Sequence, residues 1–182
     1  MASFTESLHQ ENWSWTAIPL ALLITLYPRL WSGIFGPGRR WYPAGTPRTF
    51  SQDLENQNVP PILRGRLQRA EAAMNNGIEN IPLFVAGVIA ANVEGLDLWT
   101  LNILCLSYLL VRVIYTWVYI YGQELQSLPA LTRTVIWFIG TFIIGGLLLS
   151  SGPHIDPLEK NASYWFSTSI KVPNPAPQHN LL

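Results

Sequence analysis

The chain is short of charge and almost without cysteine. Of its 182 residues, 12% are Asp, Glu, Lys or Arg, about half the share in an average soluble domain. Acidic and basic residues number 11 each, so the net charge is zero. That leaves no broad basic field to hold nucleic acid. Cys105 is the single cysteine, which excludes an intramolecular disulfide. His9, His154 and His179 lie far apart and outside the apolar runs, so no metal site is expected. No Ser/His/Asp, Cys/His or phosphate-loop pattern occurs. The residues before the first apolar run include Glu6 and Glu11 but no Lys or Arg. That is the wrong charge for a cleavable signal peptide, and the run is expected to stay as an anchor.

What is abundant is apolar surface. Hydrophobic residues make up 49% of the chain, with 8 Trp among them. A bilayer core about 30 Å thick needs roughly 20 largely apolar helical residues. Residues 13–28, 98–121 and 134–153 meet this with at most one charge each, Arg112 in the second of them. Arg29, just beyond the first run, is expected to snorkel out of the bilayer. Trp13, Trp15, Trp31, Trp99 and Trp137 fall near the run ends, where amphipathic rings favour the headgroup layer. A further span is read from residues 61–93, whose first half is polar but rich in helix formers, with Gly77 tolerable inside it. The expected fold is an all-α integral membrane protein, a four-transmembrane-helix bundle. Its membrane domain covers residues 1–152, with spans at about 13–35, 61–93, 97–121 and 132–152 and a loop at 36–60. A partly disordered tail, residues 153–182, follows; its Pro-rich end reads as extended. The loop at 36–60 holds Pro37, Pro43, Pro47 and Pro60 and is expected to be irregular rather than helical.

Arg39, Arg40, Arg48, Arg64, Arg66 and Arg69 cluster in and after that loop, whereas the turn at 94–97 carries only acids. Positive residues stay on the cytoplasmic side. The loop is therefore expected to be cytoplasmic, with Asn161-Ala162-Ser163 a lumenal glycosylation sequon.

Polar residues inside spans are the main functional signal. A charge at the bilayer centre costs at least about 2.5 kcal/mol. Tyr108, Arg112, Tyr115 and Tyr119 recur at spacings of 4, 3 and 4 and share one narrow stripe at about 100° per residue. Arg69, Ala72, Asn76 and Glu79 share one side of the preceding span, with Glu71 roughly opposite. Two such stripes on consecutive antiparallel helices can meet. Together they suit a zwitterionic ligand, since arginine matches carboxylates bidentately and Glu accepts from an ammonium. A purely structural reading stands equally open, with Glu79 paired to Arg112 to hold two helices together. Arg133 opens the fourth span beside Thr134. It is either a snorkelling residue or a group that lowers the pKa of a ligand thiol. Cys105, among Leu, Ile and Ser, reads as packing.

The run Arg69-Ala70-Glu71-Ala72-Ala73-Met74-Asn75-Asn76-Gly77-Ile78-Glu79-Asn80-Ile81-Pro82-Leu83-Phe84 resembles the signature of the MAPEG family, the membrane-associated proteins in eicosanoid and glutathione metabolism. The segment from Tyr108 through Arg112 and Tyr115 to Tyr119 is similar to the family's third-helix signature, and Arg133-Thr134 to the start of its fourth helix. The resemblance covers residues 13–152 or so and points to the microsomal glutathione transferase type.

The resemblance implies a homotrimer in the endoplasmic reticulum membrane, with glutathione as cosubstrate between neighbouring subunits and no metal. Cofactor binding would fall to Arg69, Asn76, Glu79, Tyr115 and Tyr119. Arg133 and Thr134 would be catalytic, with Arg133 stabilising the thiolate, and Arg112 would serve a structural polar network. The implied activity is a transferase or peroxidase acting on lipophilic electrophiles. Ala72 departs from glutathione-using members, which carry Arg there. Two alternatives therefore stay open: a glutathione-independent isomerase or cyclase of a hydrophobic metabolite, and a non-enzymatic lipid-binding protein.

Overall fold

The computed structural model describes residues 3–43, 45–122, 124 and 131–150. The tail at 153–182, Asn161, His154 and His179 lie outside the described residues. The described helices belong to one compact unit, Met1–Ser151. Four helices are long and apolar enough to cross a membrane: Ser14–Ile34, Pro61–Val93, Leu98–Tyr121 and Thr132–Ser150.

A short helix, α1 (Phe4–Gln10), precedes the first span. Ser3 caps it, accepting the Glu6 N–H at 3.3 Å, the Ser-x-x-Glu pattern of a helix start. The first span is α2 (Ser14–Arg29), which loosens after Pro28 into a π-helical turn, Leu30–Ile34.

The connection that follows is more ordered than its prolines suggest. It holds two 3₁₀ turns, Arg39–Trp41 and Pro47–Thr49, and a four-residue helix, α3 (Phe50–Asp53). Phe50, Leu54 and Val59 are buried with Leu67 in a small core of their own. Burial of these side chains offsets the cost of ordering an irregular segment.

Helix α4 (Pro61–Val93) opens with proline at its first position, where no intrahelical N–H is lost. It ends in a Schellman turn. Leu96 N–H reaches Ala91 C=O at 2.9 Å, Gly95 N–H reaches Asn92 C=O at 3.2 Å, and Gly95 takes the left-handed φ of 71° that glycine permits. Asp97 then caps α5 (Leu98–Tyr121), accepting from the Thr100 N–H and hydroxyl, each at 3.0 Å. These bonds hold the Asp97 carboxyl below the usual carboxylate range, the backbone bond most. Helix α6 (Thr132–Ser150) completes the bundle.

Helix α4 packs against α2, α5 and α6. The contacts use small residues, since apolar burial gives helices little reason to associate in lipid. Ala17, Ala21 and Ala91 are buried among Phe84, Val88 and Leu101. A Cβ on Gly87 would meet Leu147 Cβ at 3.1 Å. Outward faces remain apolar, as at Leu83, Leu110 and Phe142.

Two polar arrangements differ from the sequence-based expectations. Arg29 does not snorkel; it forms an ion pair with buried Glu71 and donates to Pro47 C=O at 2.8 Å. The loop arches over the end of α2 and supplies that carbonyl, so the guanidinium finds partners inside the protein. Glu71 does point away from the Asn76 side of α4, and α2 is what it meets. Glu79 is not paired to Arg112. It is exposed, and among the described residues it has no ion pair. Arg112 instead donates to Asn76 Oδ1 at 3.3 Å.

Candidate functional site

Helices α4, α5 and α6 enclose a cleft of roughly 270 Å³ lined by Asn76, Tyr115, Tyr119, Arg133, Thr134 and Trp137. One helical turn separates Tyr115 from Tyr119 on α5, so their rings stand side by side with centroids 5.4 Å apart. The Arg133 guanidinium, from the first turn of α6, sits over the Tyr119 ring at 4.9 Å. This cation–π contact fixes the charge at the cleft, and among the described residues Arg133 has no ion pair. Thr134 adds an exposed hydroxyl beside it.

Beneath the cleft lies buried Arg112. Its guanidinium stacks on Tyr115 at 4.9 Å and bonds Asn76 from below. Asn76 is braced in turn, since its carbonyl accepts the Asn80 amide at 2.7 Å. Gly77 makes this convergence of helices possible. A Cβ there would lie 2.6 Å from Thr25 Cγ2 and 2.9 Å from Arg112 Nη2. The residue that looked merely tolerable in sequence is where α2, α4 and α5 close on one another.

The structure thus brings Asn76, Tyr115, Tyr119, Arg133 and Thr134 together around one space. Glu79 stands one turn beyond Asn76 on α4, exposed and outside the lining. Arg69 does not line the cleft. Its Nε donates to Ile120 C=O at 2.8 Å, and its Nη2 meets Glu124 at 2.8 Å. Tyr108, the fourth member of the aromatic stripe, is buried and stacked on Phe84 at 4.1 Å.

Trp137 is the lining residue that sequence reasoning missed. It was read as part of the interfacial belt, yet it lines the cleft, and its indole N–H is buried with no hydrogen-bond partner among the described residues. The signal available was its position four residues after Arg133, one turn along the same face of α6.

Chemically, the lining offers one fixed cation, an amide, a hydroxyl, two phenols and an unpaired indole donor. Among the described residues no carboxylate lines it. Among the described residues no group of His, Cys, Asp or Glu could hold a metal ion. Such a lining favours the ionised form of an acidic group held there.

A membrane bundle with a cationic polar cleft between its second, third and fourth spans defines the class of protein. The sequence pattern of the MAPEG family matches residues 15–152, and the chain belongs to that family. The family includes glutathione-dependent transferases and peroxidases, isomerases and synthases. Comparison with curated proteins and with solved structures found no match.

Proposed function

We propose that the chain is a glutathione-dependent enzyme, a transferase or peroxidase, acting on lipophilic electrophiles that arrive from the bilayer. The observation that carries this reading is the Arg133 guanidinium, held over Tyr119 in a cleft that no carboxylate of the described residues lines. A thiol beside that charge gives up its proton to water more readily and becomes the nucleophile. In transfer, its sulfur forms a bond to the electrophilic carbon as the leaving group departs. With a peroxide, the sulfur takes the distal oxygen as the O–O bond breaks, the alkoxide leaves and takes a proton from water to become the alcohol, and a second glutathione resolves the sulfenic product to a disulfide and water.

Asn76, Tyr115 and Tyr119 would orient the tripeptide, with Thr134 beside the sulfur. Glu79, exposed on a membrane helix, would accept from its ammonium. A space of roughly 270 Å³ falls below the range of about 300–1,000 Å³ typical of small-molecule sites. Both features support an assembly in which a neighbouring copy closes the site, which we read as a homotrimer in the endoplasmic reticulum membrane.

Calorimetry of the full chain with glutathione, alongside turnover of a small aromatic electrophile, tests this. Binding is expected in wild type, with Glu79→Ala and Arg133→Ala each weakening it about tenfold or more, as befits lost charge-assisted bonds. Wild-type protein with neither heat nor turnover overturns the reading.

One observation favours a second reading. Arg69 is engaged by Glu124 and Ile120 and does not stand in for the arginine absent at Ala72. A glutathione-independent isomerase or cyclase would need only Arg133 and the phenols as acid and oxyanion partners. Isomerisation without thiol, abolished by Arg133→Ala, would decide for it.

A further inference from the structure

A second, larger space lies on the opposite side of α5. It is a slot of roughly 650 Å³ between α2 and α5, walled by Leu23, Ile24 and Tyr27 from the first helix and Val113 and Ile120 from the other. Its lining is apolar apart from Thr116 and the tips of the aromatic rings. On α5 its residues alternate with those of the polar cleft, so the helix carries two faces with unlike chemistry.

The slot ends among aromatic rings at the Arg-rich end of the bundle. Trp31 packs edge-on to Tyr121 with centroids 5.9 Å apart, and Trp117 lies 6.0 Å from the same ring. Trp117 and Tyr121 are shared with a shallower depression of roughly 280 Å³ completed by Arg66 and Glu124. The apolar slot therefore opens directly onto a charged mouth. There the Arg66 guanidinium sits over Tyr121 at 5.4 Å and grips Glu124, with Nε 2.8 Å from Oε1 and 3.0 Å from Oε2. Arg69 pairs with the same carboxylate. Two guanidiniums thus share one carboxylate at the mouth.

We propose that this slot holds an acyl chain of an anionic glycerophospholipid, with its phosphate against Arg66. An aromatic ring at the end of a hydrocarbon groove marks headgroup depth, and the cation stands just beyond it. The charge bias of the loop puts this end at the cytoplasmic leaflet, where anionic lipids concentrate. Glu124 opposes an incoming phosphate. The headgroup therefore lies on the Arg66 side, and its hold depends on the balance of charge at the mouth. The site is separate from the cleft, and the proposal does not rest on glutathione chemistry.

The two charged residues make opposite predictions. Native mass spectrometry of the full chain would be run with equimolar phosphatidylserine and phosphatidylcholine in mild detergent. Wild type should retain phosphatidylserine preferentially. Arg66→Gln should lower that preference about fivefold, and Glu124→Gln should raise it about fivefold, the effect of one basic charge near a headgroup. Val113→Trp, placed on the half-exposed wall of the slot, should lose bound lipid of both kinds. Unchanged lipid retention in Val113→Trp, or equal headgroup preference in the two charge variants, overturns the proposal. So does a Val113→Trp spectrum in which the oligomer falls apart, which would assign the slot to a second copy of the chain.

Discussion

Arg112 reaches across from α5 to bond Asn76 on α4, and the absence of a side chain at Gly77 is what lets it arrive. The guanidinium lies within 2.9 Å of where a Cβ at residue 77 would stand, and Thr25 of α2 closes from the other side. The polar floor of the cleft and the packing of three spans therefore share one residue.

Gly77→Ala should accordingly be costly although alanine is the better helix former. Overpacking of this kind typically costs about 1–3 kcal/mol. Thermal unfolding in detergent should show a lowered midpoint, and ligand affinity should fall with it because Arg112 and Asn76 must shift. An unchanged midpoint would mean that the helices separate freely at this point.

The Arg29–Glu71 pair is buried between α2 and α4. Removing one member should be worse than removing both. Arg29→Ala leaves an uncompensated carboxylate, at a typical cost of about 3–5 kcal/mol, whereas an apolar pair of similar volume is often neutral. Unfolding midpoints for Arg29→Met, Glu71→Leu and the double variant would reveal the coupling. Additive losses would contradict it.

Asn102 ties the chain start to the bundle. Its side chain is wholly buried. It accepts from Trp13 N–H at 2.9 Å and donates to Leu8 C=O at 2.9 Å and Glu11 C=O at 2.7 Å. Asn102→Ala should orphan those backbone groups at a cost of about 1–3 kcal/mol. Limited proteolysis should then cut within residues 3–12 faster than in wild type, while the four spans stay protected.

Asp97 gives a pH dependence with a definite sign. Its carboxyl is held below the ordinary range by the Thr100 N–H and hydroxyl. A depressed folded-state value means that the contribution to stability is complete above the unfolded value of about 3.9 and fades as pH falls below it. Asp97→Asn keeps a capping oxygen and should flatten that acid-side decline in unfolding scans taken from pH 6 downward.

Much of the fold was legible because lipid imposes a simple rule of length and apolarity on helices. Even the long second span, half polar, emerged from its helix formers. The stripes of Tyr115 and Tyr119 and of Asn76 follow directly from helical periodicity. What stayed hidden depends on partners distant in sequence. Arg29 looked like a snorkelling end residue because its carboxylate comes from another helix. Asn102 and Asn92 gave no periodic signal. Each is a single amide in its apolar surroundings, and their roles appear only when α1 and α2 fold back, as where Asn92 donates to Ser14 Oγ at 2.9 Å. Trp137 was assigned by depth alone, and depth does not distinguish a ring facing lipid from one facing a cleft.

The tight Gly95 turn has a geometric consequence for the cleft. Asn76 stands as many residues before the end of α4 as Tyr115 stands after the start of α5. At about 1.5 Å per residue, both lie some 25 Å from the turn. The two helices act as arms of equal length on a common pivot, which brings amide and phenol level. Adding a single residue to either arm would offset them by about 1.5 Å and swing one through about 100°. The span of those arms is thus a gauge set at one side of the bilayer and read at the other.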